Sequence, residues 1–117
     1  MLLILGGLLP VAAAPVLAIS PDVVISQVYG GGGNAGAQYL NDYVELFNRG
    51  TTPVSLAGNS VQYAPGSGLG LFGGAPDQLT ELPAVTLNPG QYFLIQEASG
   101  GASGVPLPAP DLVEPTP

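Results

Sequence analysis

The side chains of this chain that could do chemistry are almost all carboxylates. Over 117 residues there are eight acids and one base, Arg49, with no histidine and no cysteine, for a net charge of −7. Asp42 and Glu45, with Asn41 and Asn48 beside them and Asp77 arriving from a loop, offer the hard oxygen ligands that Ca²⁺ takes. The D-x-D-x-D-G spacing of a dedicated calcium loop is absent. Asp42 therefore reads first as a turn acid opening a strand, and Glu45 as a solvent-facing or capping group. Glu45, Asp77, Glu81 and Glu97 also contain the pairs that glycoside hydrolysis uses. That reaction needs a cleft between two acids and a surface for a sugar ring, for which a chain this short has little room. Tyr39, Tyr43 and Tyr63 can form an aromatic patch for a sugar or a partner strand, although such tyrosines are more often half-buried sheet residues with a wet hydroxyl. No residue is assigned a catalytic or cofactor-binding role.

The missing residue types exclude more than the present ones suggest. Without His or Cys there is no imidazole base, thiol nucleophile, disulfide or zinc site of the usual kind. A protein that neutralises phosphates needs several Lys or Arg, so direct nucleic-acid binding is not expected. Gly31, Gly33 and Gly36 spell G-x-G-x-x-G after a strand, and Tyr39, Leu40, Tyr43, Val44 and Phe47 also fit a helical face. A dinucleotide site would then need an acid after the next strand, yet none lies between Glu45 and Asp77. The glycines read instead as a flexible loop.

Strands must carry these residues. Tyr43 to Asn48 alternates, with Tyr43, Glu45 and Phe47 on one face and Val44 and Leu46 on the other, and it stops at Arg49-Gly50. Val23 to Tyr29 is rich in β-branched residues. Val54 to Ala57 and Ser60 to Tyr63 read as two halves of a strand with Gly58 as a bulge between them. Ala64 to Pro76 reads as a loop whose Leu69, Leu71 and Phe72 tuck onto the core. Leu82 to Leu87 and Tyr92 to Gln96 read as hairpin partners across Asn88-Pro89-Gly90-Gln91, a type II turn by its proline and glycine. The expected core is Val24, Val28, Tyr43, Val44, Leu46, Phe47, Leu56, Val61, Leu87, Tyr92 and Leu94.

Residues 1–18 are apolar and uncharged and end in small residues, the pattern of a signal peptide cleaved after Ala18. Pro10 and Pro15 shorten the run below the ~20 residues of a membrane span. Secretion is the expected destination. Residues 19–97 form the expected domain, and residues 98–117 have the Gly, Ala, Ser and Pro composition of a tail.

VVISQVYGGGGNAGAQYLNDYVELFNRG, PVSLAGNSVQY and LNPGQYFLIQEA together resemble the bacterial branch of the lamin-tail domain family, from about Val23 to Asp111. The resemblance implies an all-β, immunoglobulin-like sandwich acting as an exported, non-catalytic module for protein or cell-surface interaction. It also implies an alternative role as an accessory N-terminal domain, or a fragment, of a secreted endonuclease/exonuclease/phosphatase-type nuclease whose catalytic part lies on another or a longer chain. Asn59 stands where the family usually has Trp, and the family pattern continues past Asp111 with further strands. The resemblance thus implies an incomplete sandwich whose bare edge invites pairing with another chain.

Overall fold

The computed structural model describes residues 20–66 and 70–114. The signal peptide expected over Met1 to Ala18 and Leu69 of the long loop lie outside the described residues.

Two β layers enclose the core. The first is a four-stranded sheet of β1 (Val23–Tyr29), β2 (Tyr43–Asn48), β7 (Tyr92–Gln96) and β8 (Leu112–Val113), in the order β1-β2-β7-β8. The first three pair antiparallel, and β8 joins β7 in parallel. The second layer holds two short ladders, β3 (Val54–Ser55) with β6 (Thr86–Leu87) and β4 (Ser60–Gln62) with β5 (Leu79–Glu81). One 3₁₀ turn, Pro76–Gln78, leads into β5. Leu46, Phe93 and Ile95 from the sheet meet Leu56 and Leu87 from the second layer, with Val23, Val44, Val61, Leu82 and Leu112 packed around them. This is the sandwich expected from the sequence.

The register decides which side chains reach that core. Phe47 pairs with Tyr92 and Glu45 with Leu94, while Leu46 pairs with Phe93 and Val44 with Ile95. Val44, Leu46, Phe93 and Ile95 therefore share the inner face. Tyr92, expected in the core, is 59% exposed on the outer face and stacks on Phe47 with ring centroids 4.5 Å apart. Val24, Tyr43, Phe47 and Leu94 are half-buried, on that same outer face. The physical reason is that Tyr92-Phe93-Leu94-Ile95 is apolar at every position, so alternation alone does not say which pair points in.

Val28 needs a different correction. It pairs with Val44 and faces inward, yet it is 68% exposed because the second layer does not cover it.

Other expectations also change. Gly58 is no bulge: it has φ +75 in a turn closed by the Asn59 N–H donating to the Leu56 carbonyl at 3.1 Å. That turn moves the chain from β3 to β4, which pair with different partners. Pro83 interrupts the strand expected over Leu82 to Leu87, leaving β5 and β6 on either side. The Asn88–Gln91 turn forms as expected, with Gly90 at φ +79 after Pro89 and Gln91 N–H donating to Asn88. It carries the chain between layers instead of closing a hairpin, since β6 pairs with β3 and β7 with β2. Leu71 and Phe72 are exposed, not tucked onto the core.

Residues 98–114, expected as a tail, are built into the domain. Gly100 N–H donates to Gly32, Ser103 N–H to Gly33, and Val105 and the Gln38–Leu40 segment exchange two hydrogen bonds. The glycine loop is thus a backbone-to-backbone seam. A methyl group at Gly33, where φ is +77, would overlap Ser99 Oγ and the Gly101 backbone. Gly33→Ala is expected to cost about 2–4 kcal/mol, combining the left-handed penalty with the steric clash. Gly36→Ala, at φ +80 with open space, isolates the conformational part. Urea midpoints should rank wild type, Gly36→Ala and Gly33→Ala in falling order; equal midpoints for the two variants would show that the seam does not pack there.

Candidate functional site

β1 is an outer strand of its sheet, and its alternation puts Val23, Ile25 and Val28 on the inner face. The register slips between Ile25 and Gln27, so Ser26 bulges out of the ladder. The Ser26 hydroxyl donates to Glu45 Oε1 at 2.7 Å, which ties that carboxylate to the outer face of the sheet. Beneath β1, between the sheet and the β4–β5 ladder, lies an open cleft of about 440 Å³. Ile25, Val28, Val44, Val61 and Tyr63 supply apolar lining, and Asp42, Thr80 and Glu97 supply polar groups. A second cleft of about 350 Å³ continues along Val23 to Ile25 toward Asn59 and Leu82.

Glu97 is the unusual group. Following directly on β7, it is only 7% exposed, and its backbone is fixed by Glu97 N–H donating to Asp42 and Asn41 Nδ2 donating to the Glu97 carbonyl. Both carboxylate oxygens lie near the buried Thr80 hydroxyl, at 3.1 and 3.3 Å. Burial pushes its pKa up to about 7, opposed by the Thr80 hydrogen bond and assisted by the charges of Glu114 and Asp42. The sequence shows this acid but not its burial; the only signal is its place at the end of an apolar run.

The oxygen ligands weighed for a metal do not assemble among the described residues, and each takes a structural partner or faces solvent. The Asp42 carboxylate accepts the Gly32 N–H, Glu45 is held by Ser26, and Asp77 is exposed in the 3₁₀ turn. Three residues apart in extended chain, Asp42 and Glu45 point to opposite faces. Asn48 is fully buried, and its side-chain oxygen accepts the Gly50 N–H. Among the described residues no group of three or more Asp or Glu can hold a metal ion. The carboxylate pairs imagined for hydrolysis are likewise dispersed, with Glu81 exposed on β5 and Glu97 buried between layers.

The tyrosine patch exists with one exchange of membership. Tyr29 stacks on its cross-strand neighbour Tyr43 at 5.5 Å, and Tyr39 meets both edge-on. Burial, with Tyr39, Glu45 and Tyr29 nearby, raises the Tyr43 pKa. Tyr63 stands apart on the cleft wall and is half exposed. Gln38 N–H donates to the Tyr29 hydroxyl and the Tyr43 hydroxyl to Gln27 Oε1, so the cluster braces the glycine loop.

The sequence model of the Lamin Tail Domain matches residues 18–111. The chain belongs to the lamin tail domain family. No curated protein and no solved structure matches it. Lamin tail domains are a non-enzymatic, immunoglobulin-like family, and the two-layer sandwich here has that architecture. The match runs through residues 98–111, the stretch that seams onto the glycine loop. Among the described residues no helix of this lamin tail domain is long and apolar enough to cross a membrane.

Proposed function

We propose that this lamin tail domain is an exported, non-catalytic module that engages a protein or cell-surface partner through its open sheet edge. The observation that carries the reading is the state of β1, an outer strand whose inward-facing Ile25 and Val28 are 56% and 68% exposed. Fully burying such a side chain is worth roughly 1.5–3 kcal/mol, so leaving two bare on a sandwich interior costs stability that a partner can restore. Net charge and the single Arg49 argue against nucleic acid as that partner. The apolar leader supports export.

Two measurements test this. Mass spectrometry of the medium of producing cells should find a chain beginning at Ile19; intact protein confined to the cell interior would contradict export. A photo-crosslinking residue in place of Val28 should give a discrete surface-protein adduct that the same probe at exposed Glu81 does not. Equal labelling from both positions would refute an edge-specific contact.

A further inference from the structure

The second layer stops short of β1. Its β5 lies against the end of β7, where Thr80 meets Glu97, and β4 follows beside it. Beyond β4 no strand among the described residues lies beneath Ile25 and Val28, which is why both are bare. The two clefts share Ile25, Val61 and Gln62, so they form one groove, roofed by β1 and walled by β4. That wall is a strand edge. Tyr63 N–H donates to the Gln78 carbonyl and Leu82 N–H to the Asn59 carbonyl, with Val61 paired to Thr80 between them. Alternation therefore turns the backbones of Asn59, Val61 and Tyr63 toward β5, and the N–H and C=O groups of Ser60 and Gln62 away from it. β5 is the one strand partner of β4 among the described residues, so those groups face the groove. β4 carries neither Lys nor Pro to blunt that edge. Neighbouring strands lie about 4.8 Å apart and stacked sheets about 10 Å apart, so a strand laid beside β4 would turn one face onto the bare aliphatics of β1.

These features select among occupants. A second copy could offer the edge of its own β4, but that strand carries β2 of its own sheet above it, where β1 already forms the roof. The two first sheets would collide, so the slot admits a lone strand and not the edge of a folded sandwich. A small apolar molecule would cover Ile25 and Val28 and leave the backbone edge of β4 unpaired. An extended segment with apolar side chains at alternate positions meets both. Charge narrows it further: Asp22 and Asp42 border the groove, and no Lys or Arg lines it, so acids in the segment would be repelled. We propose that the groove takes a single extended segment of another protein, free of acids and apolar at alternate positions, which pairs with β4 and completes the second layer beneath β1. The proposal rests on the interaction-module reading above and supplies the partner's chemistry.

The test is calorimetric titration of the full chain with a blocked peptide of alternating valine and threonine, as long as β1. Companion peptides separate the causes: the same residues with the valines grouped at one end, the alternating peptide with its amides N-methylated, and a pair with glutamate or glutamine at the centre. The alternating peptide should bind about tenfold or more tightly than the grouped one, and N-methylation should abolish binding. The glutamate peptide should bind about threefold or more weakly than the glutamine peptide. Val28→Ala, at an exposed position, should weaken the alternating peptide about threefold. At saturation, amide hydrogen exchange should slow about tenfold or more at Ser60 and Gln62. Gln62→Pro removes a donor that β5 does not use, so it should abolish binding and keep the urea midpoint near wild type. The exchange pattern and the N-methylated peptide decide the matter whether or not that variant folds. Exchange slowed along β1 instead, equal binding of alternating and grouped peptides, or no binding of the alternating peptide would overturn insertion beside β4. Equal binding of the glutamate and glutamine peptides would overturn the exclusion of acids. A dimer that forms without peptide and is lost in Gln62→Pro would put a second copy in the slot and overturn the proposal. The Val28 crosslinking result is independent of all these peptides and judges the module reading alone.

Discussion

Asn48→Asp should remove most of the domain's stability at neutral pH, although it exchanges one amide nitrogen for an oxygen. Asn48 is 0% exposed and ties the two layers together. Its Nδ2 donates to the Thr52 carbonyl at 2.9 Å and to the Leu87 carbonyl of β6 at 2.8 Å, while its Oδ1 accepts the Gly50 N–H at 2.9 Å. Its backbone also receives the Asn88–Gln91 turn, with Gly90 N–H donating to Asn48 and Asn48 N–H to Gln91. Aspartate keeps the acceptor and loses both donors. Two carbonyls are then left facing a carboxylate, at about 1–3 kcal/mol for each unsatisfied group and more for the buried charge. Total stability is only about 5–15 kcal/mol. Circular dichroism in urea should show the midpoint collapsing toward zero at pH 7. The introduced carboxyl would have a raised folded pKa, so its penalty should shrink toward acid, where it is neutral and can donate one hydrogen bond. The same exchange at exposed Asn88 should change stability by no more than about 0.5 kcal/mol. A normal midpoint for Asn48→Asp would show that this network does not hold the layers together.

Asn48 also shows where the sequence could and could not be read. Its position after Val44-Glu-Leu-Phe placed it at the end of a strand, and the strand formed. Its carbonyl partners come from residues 4 and 39 positions away, which no local pattern encodes. β1, β2 and β7 were legible because apolar and β-branched runs ending at glycine or turn residues dictate extended chain. The inner face of β7 was not, because all four residues from Tyr92 to Ile95 are apolar. Val28 was assigned to the correct face, but sequence says nothing about whether a second layer covers it. The seam between residues 30–40 and 99–105 escaped because it is made by backbone groups of Gly, Ser, Gln and Val. Composition counts such residues as linker, although their small size is what lets two backbones touch. Of the site, the acids were visible and their burial was not: Glu97 emerges as distinct from Glu81 only once Thr80 faces it across the core.

Stability should fall as pH rises through about 7, and Glu97 should be the cause. Its folded pKa is raised to about 7 from an ordinary value of 4.5, so between those values the folded chain keeps a proton that the unfolded chain releases. The resulting stabilisation is fully present below about pH 4.5 and is lost as pH climbs past about 7, where the folded state must hold a buried carboxylate. At about 1.4 kcal/mol per pH unit, and with one side of Glu97 open to the cleft, the loss amounts to about 2–3 kcal/mol. The groups bearing on it are the Thr80 hydroxyl, which favours the charged form, and Asp42 and Glu114, which oppose it. General repulsion among the acids acts in the same direction, so wild type alone does not identify the residue. Glu97→Gln does, because the amide stays neutral and can still donate to or accept from Thr80. Urea midpoints should decline from pH 5 to pH 8.5 in wild type and decline much less in Glu97→Gln, leaving the variant the more stable at the alkaline end. Parallel pH profiles for the two proteins would place the titration elsewhere.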